Sequence, residues 1–120
     1  MLELIDGLPD NVAAFDAKGE VTEDDYQSVL IQTVDRVREQ YGKVRCMYVL
    51  GEEFDGYSAG AMWDDAKIGM AHPRSWEKCA IVTDVDWLRR SIKAFGWMVS
   101  GEVKVFSNTE LEAAKELVAS

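Results

Sequence analysis

The sequence has little of what usually identifies an enzyme or an exported protein. Its 120 residues include two prolines, two cysteines and one histidine. The chain does not start with a basic segment followed by a long apolar run, so we expect no signal peptide. No apolar run approaches the roughly 20 residues of a membrane-spanning helix. These absences predict a cytoplasmic protein, for which peripheral contact with a membrane remains open.

The residues suited to catalysis do not form a recognisable catalytic set. His72 has no second histidine and no Cys-x-x-Cys motif to accompany it, which argues against a zinc site or a Cys–His nucleophile. Cys46 and Cys79 each lie inside an apolar run, as buried thiols do. Residues 56–60 match the Gly-x-Ser-x-Gly spacing, but no base accompanies Ser58. The sequence therefore predicts a non-enzymatic protein with no catalytic residues, no metal site and no cofactor.

The net charge of −9 is distributed unevenly along the chain. Residues 1–66 carry a net charge of −10, residues 67–104 carry +3, and residues 105–120 carry −2. Binding to nucleic acid requires that many phosphates be neutralised, so this acidic chain is not expected to bind it. The local basic zone is suited to a single anionic group or to an acidic patch on a partner.

Hydrophobic periodicity predicts alternating strands and helices in one domain over residues 1–120. Thr22 is the expected N-cap of a long first helix that ends at Gly42, and Ser107 with Glu110 forms a capping-box pattern before the last helix. Asp84 is the expected cap of the third helix. The acidic segment at residues 51–57 is predicted to be a loop, followed by a second helix over residues 58–71. Strands are predicted at residues 2–5, 12–18, 44–50, 78–83 and 103–106.

This order predicts an α/β fold with a mixed, mostly parallel sheet of about five strands and four main helices. The short first connection favours an antiparallel hairpin, whereas strands separated by helices must run parallel. If neighbouring strands pair in sequence order, the helices gather mainly on one face and the other face stays partly open. The charged residues Arg45 and Lys104, each in the middle of a strand, are consistent with an open face.

Aromatic and basic residues are concentrated between Ala61 and Phe106, where all four tryptophans lie. The segment of residues 95–99 next to cationic side chains has the character of an interfacial anchor, and Gly96 and Gly101 could let it move as a lid. Trp63 and Trp87 have plain core packing as the alternative. The candidate residues for contact with a ligand or membrane are Met62, Trp63, Ala66, Met70, Arg89, Arg90, Lys93, Phe95, Trp97, Met98 and Val99.

The chain resembles the SpoIIAA-like family of bacterial proteins, which belongs to the STAS group and is often described with CRAL-TRIO lipid-binding domains. The resemblance covers nearly the whole chain and is strongest at residues 60–67, 80–84, 95–96 and 101–106, together with Trp87. It implies a STAS-like fold, no established enzymatic activity, and regulation by protein contact or binding of lipid-like ligands. In STAS antagonists a serine after the third strand is phosphorylated. The nearest position is Ser58, which follows Tyr57 where that pattern has an aspartate.

The sequence thus predicts a binding or regulatory module for an apolar or amphipathic, lipid-like small molecule or for a membrane surface. The alternative is a STAS-type antagonist that contacts another protein and is switched by phosphorylation of Ser58. A homodimer is also expected, because an open sheet face or an apolar patch can pair with its own copy.

Overall fold

The computed structural model of the protein describes residues 1–58, 75–95 and 101–120. Five strands form one sheet in the order β1-β2-β3-β4-β5. β1 pairs with β2 in antiparallel fashion, and each later pair of neighbours is parallel. The predicted mixed α/β fold is therefore confirmed. The strands are β1 Leu2–Leu4, β2 Val12–Val21, β3 Val44–Tyr57, β4 Trp76–Thr83 and β5 Glu102–Phe106.

The first helical stretch begins and ends at the residues that the sequence indicates. Thr22 is its N-cap, because the Thr22 hydroxyl accepts from Asp25 N at 3.3 Å while Asp25 Oδ2 accepts from Thr22 N at 2.9 Å. Gly42 ends the stretch with a φ of 79°, a conformation that glycine adopts at little cost. Between these residues the chain forms α1 (Glu23–Asp25), a π-helical turn (Tyr26–Leu30) and α2 (Ile31–Tyr41).

Two further helices lie among the described residues. α3 spans Asp86–Phe95, and α4 spans Leu111–Ala119 after a short 3-10 turn at Asn108–Glu110. The predicted Ser107–Glu110 capping interaction is present, with Ser107 N donating to Glu110 Oε1 at 2.8 Å. The predicted second helix falls almost entirely on residues 59–74, outside the described residues. In the described parts of the chain, no helix has both the length and the apolar character needed to cross a membrane.

The prediction of a loop at residues 51–57 is wrong, because these residues continue β3. The end of β2 pairs with them, through Gly19 with Phe54 and Val21 with Tyr57. The pairing is irregular between Ala17 and Glu20, and Gly19 has a φ of 61° there. Such an irregularity accommodates extra residues in one strand without ending the ladder. The acidic residues of the segment are exposed, while its aromatic side chains pack against the core.

The described helices lie on both faces of the sheet, so the face that the sequence predicted to stay partly open carries α4. Alternate residues of a strand face opposite sides, and in β3 Tyr48 packs in one apolar cluster while Met47 packs in another. The Tyr48 side is covered by α2 and by Leu88 of α3, whereas Val118 of α4 covers the Met47 side.

The charged side chain of Arg45 is accommodated in the middle of β3 because its guanidinium binds carbonyls at the end of α4. The sheet face on which Arg45 lies is not open there. Arg45 Nη1 donates to Val118 O at 3.1 Å and to Ser120 O at 2.7 Å, so it satisfies carbonyls at the helix end. Arg45 Nε bonds the Glu77 carboxylate, and this hydrogen bond lowers the pKa of Glu77. Lys104 is exposed, with its ammonium 5.3 Å from the centre of the Phe106 ring.

Candidate functional site

Four aromatic side chains meet near the carboxyl ends of β2, β3 and β4. Tyr57, at the end of β3, is the central ring of this aromatic cluster, which we define as Tyr26, Phe54, Tyr57 and Trp87. Its ring centroid lies 6.0 Å from that of Tyr26, 5.1 Å from that of Phe54 and 6.3 Å from that of Trp87. These separations are typical of tilted and edge-to-face aromatic pairs, which add to the stability of a contact.

The aromatic cluster runs from the core to the surface. Tyr26 is fully buried, and its hydroxyl lies 3.4 Å from that of Tyr48. Phe54 and Tyr57 are partly buried and pack against the core. Trp87 is 46% exposed, although its ring contacts Tyr57. The buried end therefore fixes the position of the cluster, and the outer end presents a large apolar side chain to solvent.

The topology explains why these rings meet. β3 and β4 are neighbours whose pairing reaches Leu50 and Thr83, and β3 then continues past that pair to Tyr57. The chain leaves β4 at Thr83 and enters α3 after two intervening residues, which brings Trp87 in the first turn of α3 to Tyr57. The aromatic cluster therefore lies outside the carboxyl ends of these parallel strands.

Side-chain hydrogen bonds hold the start of α3 in place. Thr83 is fully buried, and its Oγ1 accepts from Val85 N at 3.1 Å. Arg89 Nη1 donates to Thr83 O at 2.8 Å, and Asp84 Oδ1 accepts from Asn108 N at 3.1 Å. These bonds tie α3 both to β4 and to the turn that precedes α4. Because its helix is anchored in this way, the Trp87 side chain projects from a fixed backbone.

The cations of α3 fall into two groups. Arg89 is partly buried and bonded to Thr83 O, so its guanidinium already holds the helix to the strand. Arg90 and Lys93 are exposed. Arg90 lies three residues after Trp87, and positions at this spacing are neighbours on a helix surface. The exposed surface of α3 thus carries the indole of Trp87, the guanidinium of Arg90 about one turn later and the ammonium of Lys93 about one turn after that.

A cluster of acidic residues lies near the β1 edge of the sheet, between β1 and the extension of β3. Lys18 Nζ is 3.2 Å from Glu3 Oε2 and 3.9 Å from Glu53 Oε2. Burial raises the pKa of Asp16, and the charges of Glu3 and Glu53 act in the same direction against the opposing effect of Lys18. No set of three or more possible metal ligands comes together in the described residues.

Ser58 follows the last residue of β3 directly. Its backbone N–H donates to Val21 O at 2.9 Å and so continues the pairing of β3 with β2. This bond places a partly buried serine next to Tyr57, the central ring of the aromatic cluster. The helix predicted to start at Ser58 extends over residues 59–71, outside the described part of the chain. Phosphorylation of Ser58 stays a prediction.

Of the predicted contact residues, the structure describes the three cations of α3 and places Phe95 at the last position of that helix. Sequence reasoning missed the contact between Tyr57 and Trp87 because it treated Tyr57 as part of a loop. A signal for the exposure of Trp87 was present, since Trp87 directly precedes Leu88, a residue on the apolar side of the predicted helix. The remaining predicted contact residues lie outside the described residues: Met62, Trp63, Ala66, Met70, Trp97, Met98 and Val99.

Comparison with known proteins relates this arrangement to one family. A family model described as SpoIIAA-like matches residues 12–119. The fold is similar to the crystal structure of an uncharacterised protein from Shewanella loihica with a SpoIIAA-like fold, with a TM-score of 0.70 and 24% sequence identity. That alignment covers 98% of this chain and 92% of the other. No curated protein matches the chain.

Proposed function

The chain belongs to the SpoIIAA-like family, and we propose that it is a non-enzymatic binding module for an amphipathic, lipid-like molecule with an anionic group. The contact surface is the exposed side of α3 beside the aromatic cluster. The observation that carries this proposal is the position of Trp87, which is 46% exposed while its ring contacts Tyr57. A ring held in this way can accept an apolar partner with little further loss of side-chain freedom.

The energy available at this surface is useful but modest. A tryptophan side chain buries about 150–250 Å² when it is fully covered, so covering the exposed half of Trp87 removes about 100 Å² from water. At about 25 cal/mol/Å², this burial contributes about 2–3 kcal/mol. Arg90 and Lys93 add favourable contacts with a single anionic group, since both cations are exposed on the same helix.

The charge distribution supports a small anionic group over an extended polyanion. The protein carries a net charge of −9, and the acidic residues Glu52, Glu53 and Asp55 are exposed on the β3 extension that carries Tyr57. A polyanion long enough to cross this region would approach these carboxylates. A single headgroup beside Arg90 and Lys93 would not have to cross them. The surface therefore suits a molecule whose charge is confined to one end.

Co-sedimentation with vesicles of phosphatidylglycerol and phosphatidylcholine tests this proposal. We expect Trp87→Ala to reduce binding by at least about tenfold, because the burial energy given above exceeds the 1.4 kcal/mol of a tenfold change. Tyr41→Ala is a matched control, because Tyr41 is a large aromatic residue that is 44% exposed at the end of α2. Equal binding by both variants, with no lipid in organic extracts of the purified protein, would refute the proposal.

A second candidate function is control of a protein partner through Ser58. It is favoured by one observation, the backbone bond that holds Ser58 beside Tyr57 at the border of the aromatic cluster. A phosphate on Ser58 would add negative charge to a surface that contains cations. Pull-downs with Ser58→Asp and the uncharged control Ser58→Asn test this function. Equal recovery of the same partner by both variants would count against a phosphorylation switch.

The predicted homodimer stays a prediction and has a direct test. An exposed indole can contribute to a contact between two copies as well as to ligand binding. Sedimentation equilibrium at micromolar concentration should then give the mass of a dimer. A monomer at that concentration would contradict the prediction.

A further inference from the structure

The two cysteines of the chain lie side by side in the sheet. Cys46 of β3 and Cys79 of β4 are direct partners in the parallel pairing of these strands. Partners in register project toward the same face of a sheet, and both side chains contact the apolar cluster that contains Tyr48. The sequence contains two cysteines in all, so each thiol has the other as its neighbour across the strand pair.

The spacing of the two residues is compatible with a disulfide. Neighbouring strands lie about 4.8 Å apart, and the Cα atoms of disulfide-bonded cysteines are usually about 4.4–6.8 Å apart. The Cβ atoms of a disulfide approach to about 3.8 Å, which is closer than the strand spacing. Bond formation therefore requires the two side chains to move slightly toward each other.

The two thiols differ in their access to solvent. Cys46 is 5% exposed, whereas Cys79 is partly exposed. Their next neighbours in the same row of the sheet are Ala13 on β2 and Val103 on β5, two apolar side chains. A small uncharged oxidant therefore reaches the Cys79 sulfur first. Cys46 is placed to react with the product formed on Cys79.

We propose that Cys46 and Cys79 form a reversible dithiol–disulfide pair that takes hydrogen peroxide as its oxidant. The Cys79 thiolate attacks one peroxide oxygen, the O–O bond breaks, and the hydroxide that leaves takes up the thiol proton to form water. The Cys46 sulfur then attacks the sulfur of the resulting sulfenic acid and displaces its hydroxyl, which leaves as water with the Cys46 proton. The two sulfurs together lose two electrons, and the peroxide is reduced to two waters.

This inference does not depend on the proposed binding function, but it concerns the same two strands. Tyr57 ends β3, and Trp87 lies in the helix that follows β4. A covalent link between β3 and β4 therefore joins the strand that ends at the central ring of the aromatic cluster to the strand that leads into α3. Vesicle binding and thiol oxidation are measured separately, so failure of one leaves the other standing.

The experiment treats the folded full chain with hydrogen peroxide and measures its intact mass and its linked peptides. We expect the protein to lose two hydrogens without gaining oxygen, to yield a peptide pair joined at Cys46 and Cys79, and to recover both thiols in dithiothreitol. The oxidised protein should migrate as a single chain on a non-reducing denaturing gel, since the disulfide lies within one molecule. Persistence of both thiols, a disulfide between two molecules, or irreversible oxidation of Cys79 would overturn the proposal.

Trapping with dimedone, which reacts with sulfenic acids, tests the order of the two steps. In Cys46→Ala or Cys46→Ser the sulfenic acid on Cys79 has no neighbouring thiol, so dimedone should label it at least about tenfold more than in the unchanged protein. In Cys79→Ala the buried Cys46 should remain reduced. Circular dichroism confirms that the variants are folded. Equal labelling of Cys79 with and without Cys46 would show that the two sulfurs do not react together.

Discussion

Replacing Gly101 by alanine should destabilise the protein, because Gly101 lies against the backbone of β4. A Cβ atom at this position would be 2.3 Å from Trp76 O and 2.7 Å from Glu77 O, whereas ordinary contacts begin at 3.4 Å. The start of β5 would therefore have to move away from β4 by about 1 Å. Backbone atoms cannot rotate aside as the end of a side chain can, so this movement disturbs the pairing that begins at Lys78 and Glu102.

The expected cost combines overpacking with damage to a hydrogen-bonded ladder. Overpacking costs about 1–3 kcal/mol, and a lost backbone hydrogen bond adds about 1 kcal/mol. We therefore expect Gly101→Ala to lower the free energy of unfolding by about 2–4 kcal/mol. With a urea dependence of about 1–3 kcal/mol/M, the midpoint of urea unfolding should fall by about 1–2 M.

Gly51→Ala is the matched control for this measurement. Gly51 also lies in the sheet, but a Cβ atom there meets nothing within 4 Å, and its backbone is not in the left-handed region. We expect its stability to change by less than about 0.5 kcal/mol. A midpoint for Gly101→Ala equal to that of Gly51→Ala would refute the account of close backbone approach.

Three further substitutions test the ends of helices and the apolar cluster that contains Met47. Burial opposes the charge of Asp25, but hydrogen bonds from the Thr22 N–H and hydroxyl, with the Met1 ammonium, hold its pKa below the ordinary value. The Asp25 carboxylate should therefore stabilise the fold above the pKa of an unfolded aspartate, and this stabilisation should be lost as the pH falls through the pKa of Asp25 in the folded protein. The stability of Asp25→Asn should then depend less on pH in acid unfolding. An unchanged pH dependence in this variant would contradict the prediction. Arg45→Met should lower stability by about 1–3 kcal/mol, because it removes bonds to the end of α4, and urea unfolding should show no such loss for the exposed control Arg36→Met. Val118→Ala should lower the free energy of unfolding by about 1.5–3 kcal/mol in the same assay if α4 is closely packed against the sheet. A decrease below about 0.5 kcal/mol would indicate that this helix is only loosely packed.

The order of elements could be predicted from the sequence because it depends on local signals. Each of these signals involves residues within one helical turn. The structure contains the Thr22 N-cap, the helix end at Gly42 and the capping pair Ser107–Glu110. The sheet order follows from the same elements, since strands joined by helices pair in parallel. The packing of α4 could not be predicted, because two apolar faces of the sheet were available to it.

The candidate site was less predictable because it depends on pairing between distant residues. Residues 51–57 contain Glu52, Glu53 and Asp55, which are residue types that strands disfavour. Pairing with the end of β2 outweighs this preference, since Phe54 and Tyr57 gain contacts with the core. Sequence analysis therefore found the basic residues of α3 but not the rings beside them.

The irregular pairing of β2 with β3 determines which way Tyr57 faces. From the pair Ala17–Leu50 to the pair Val21–Tyr57, β2 advances four residues while β3 advances seven, so β3 contains three more. In a regular strand, a residue seven positions after Leu50 would face the opposite side of the sheet. An odd number of extra residues reverses this and brings Tyr57 to the side of Tyr26, where it also meets Trp87. The aromatic cluster therefore depends on the bulged segment as directly as on the aromatic residues themselves, and a SpoIIAA-like chain without an odd insertion here should lack this surface even if it has both rings.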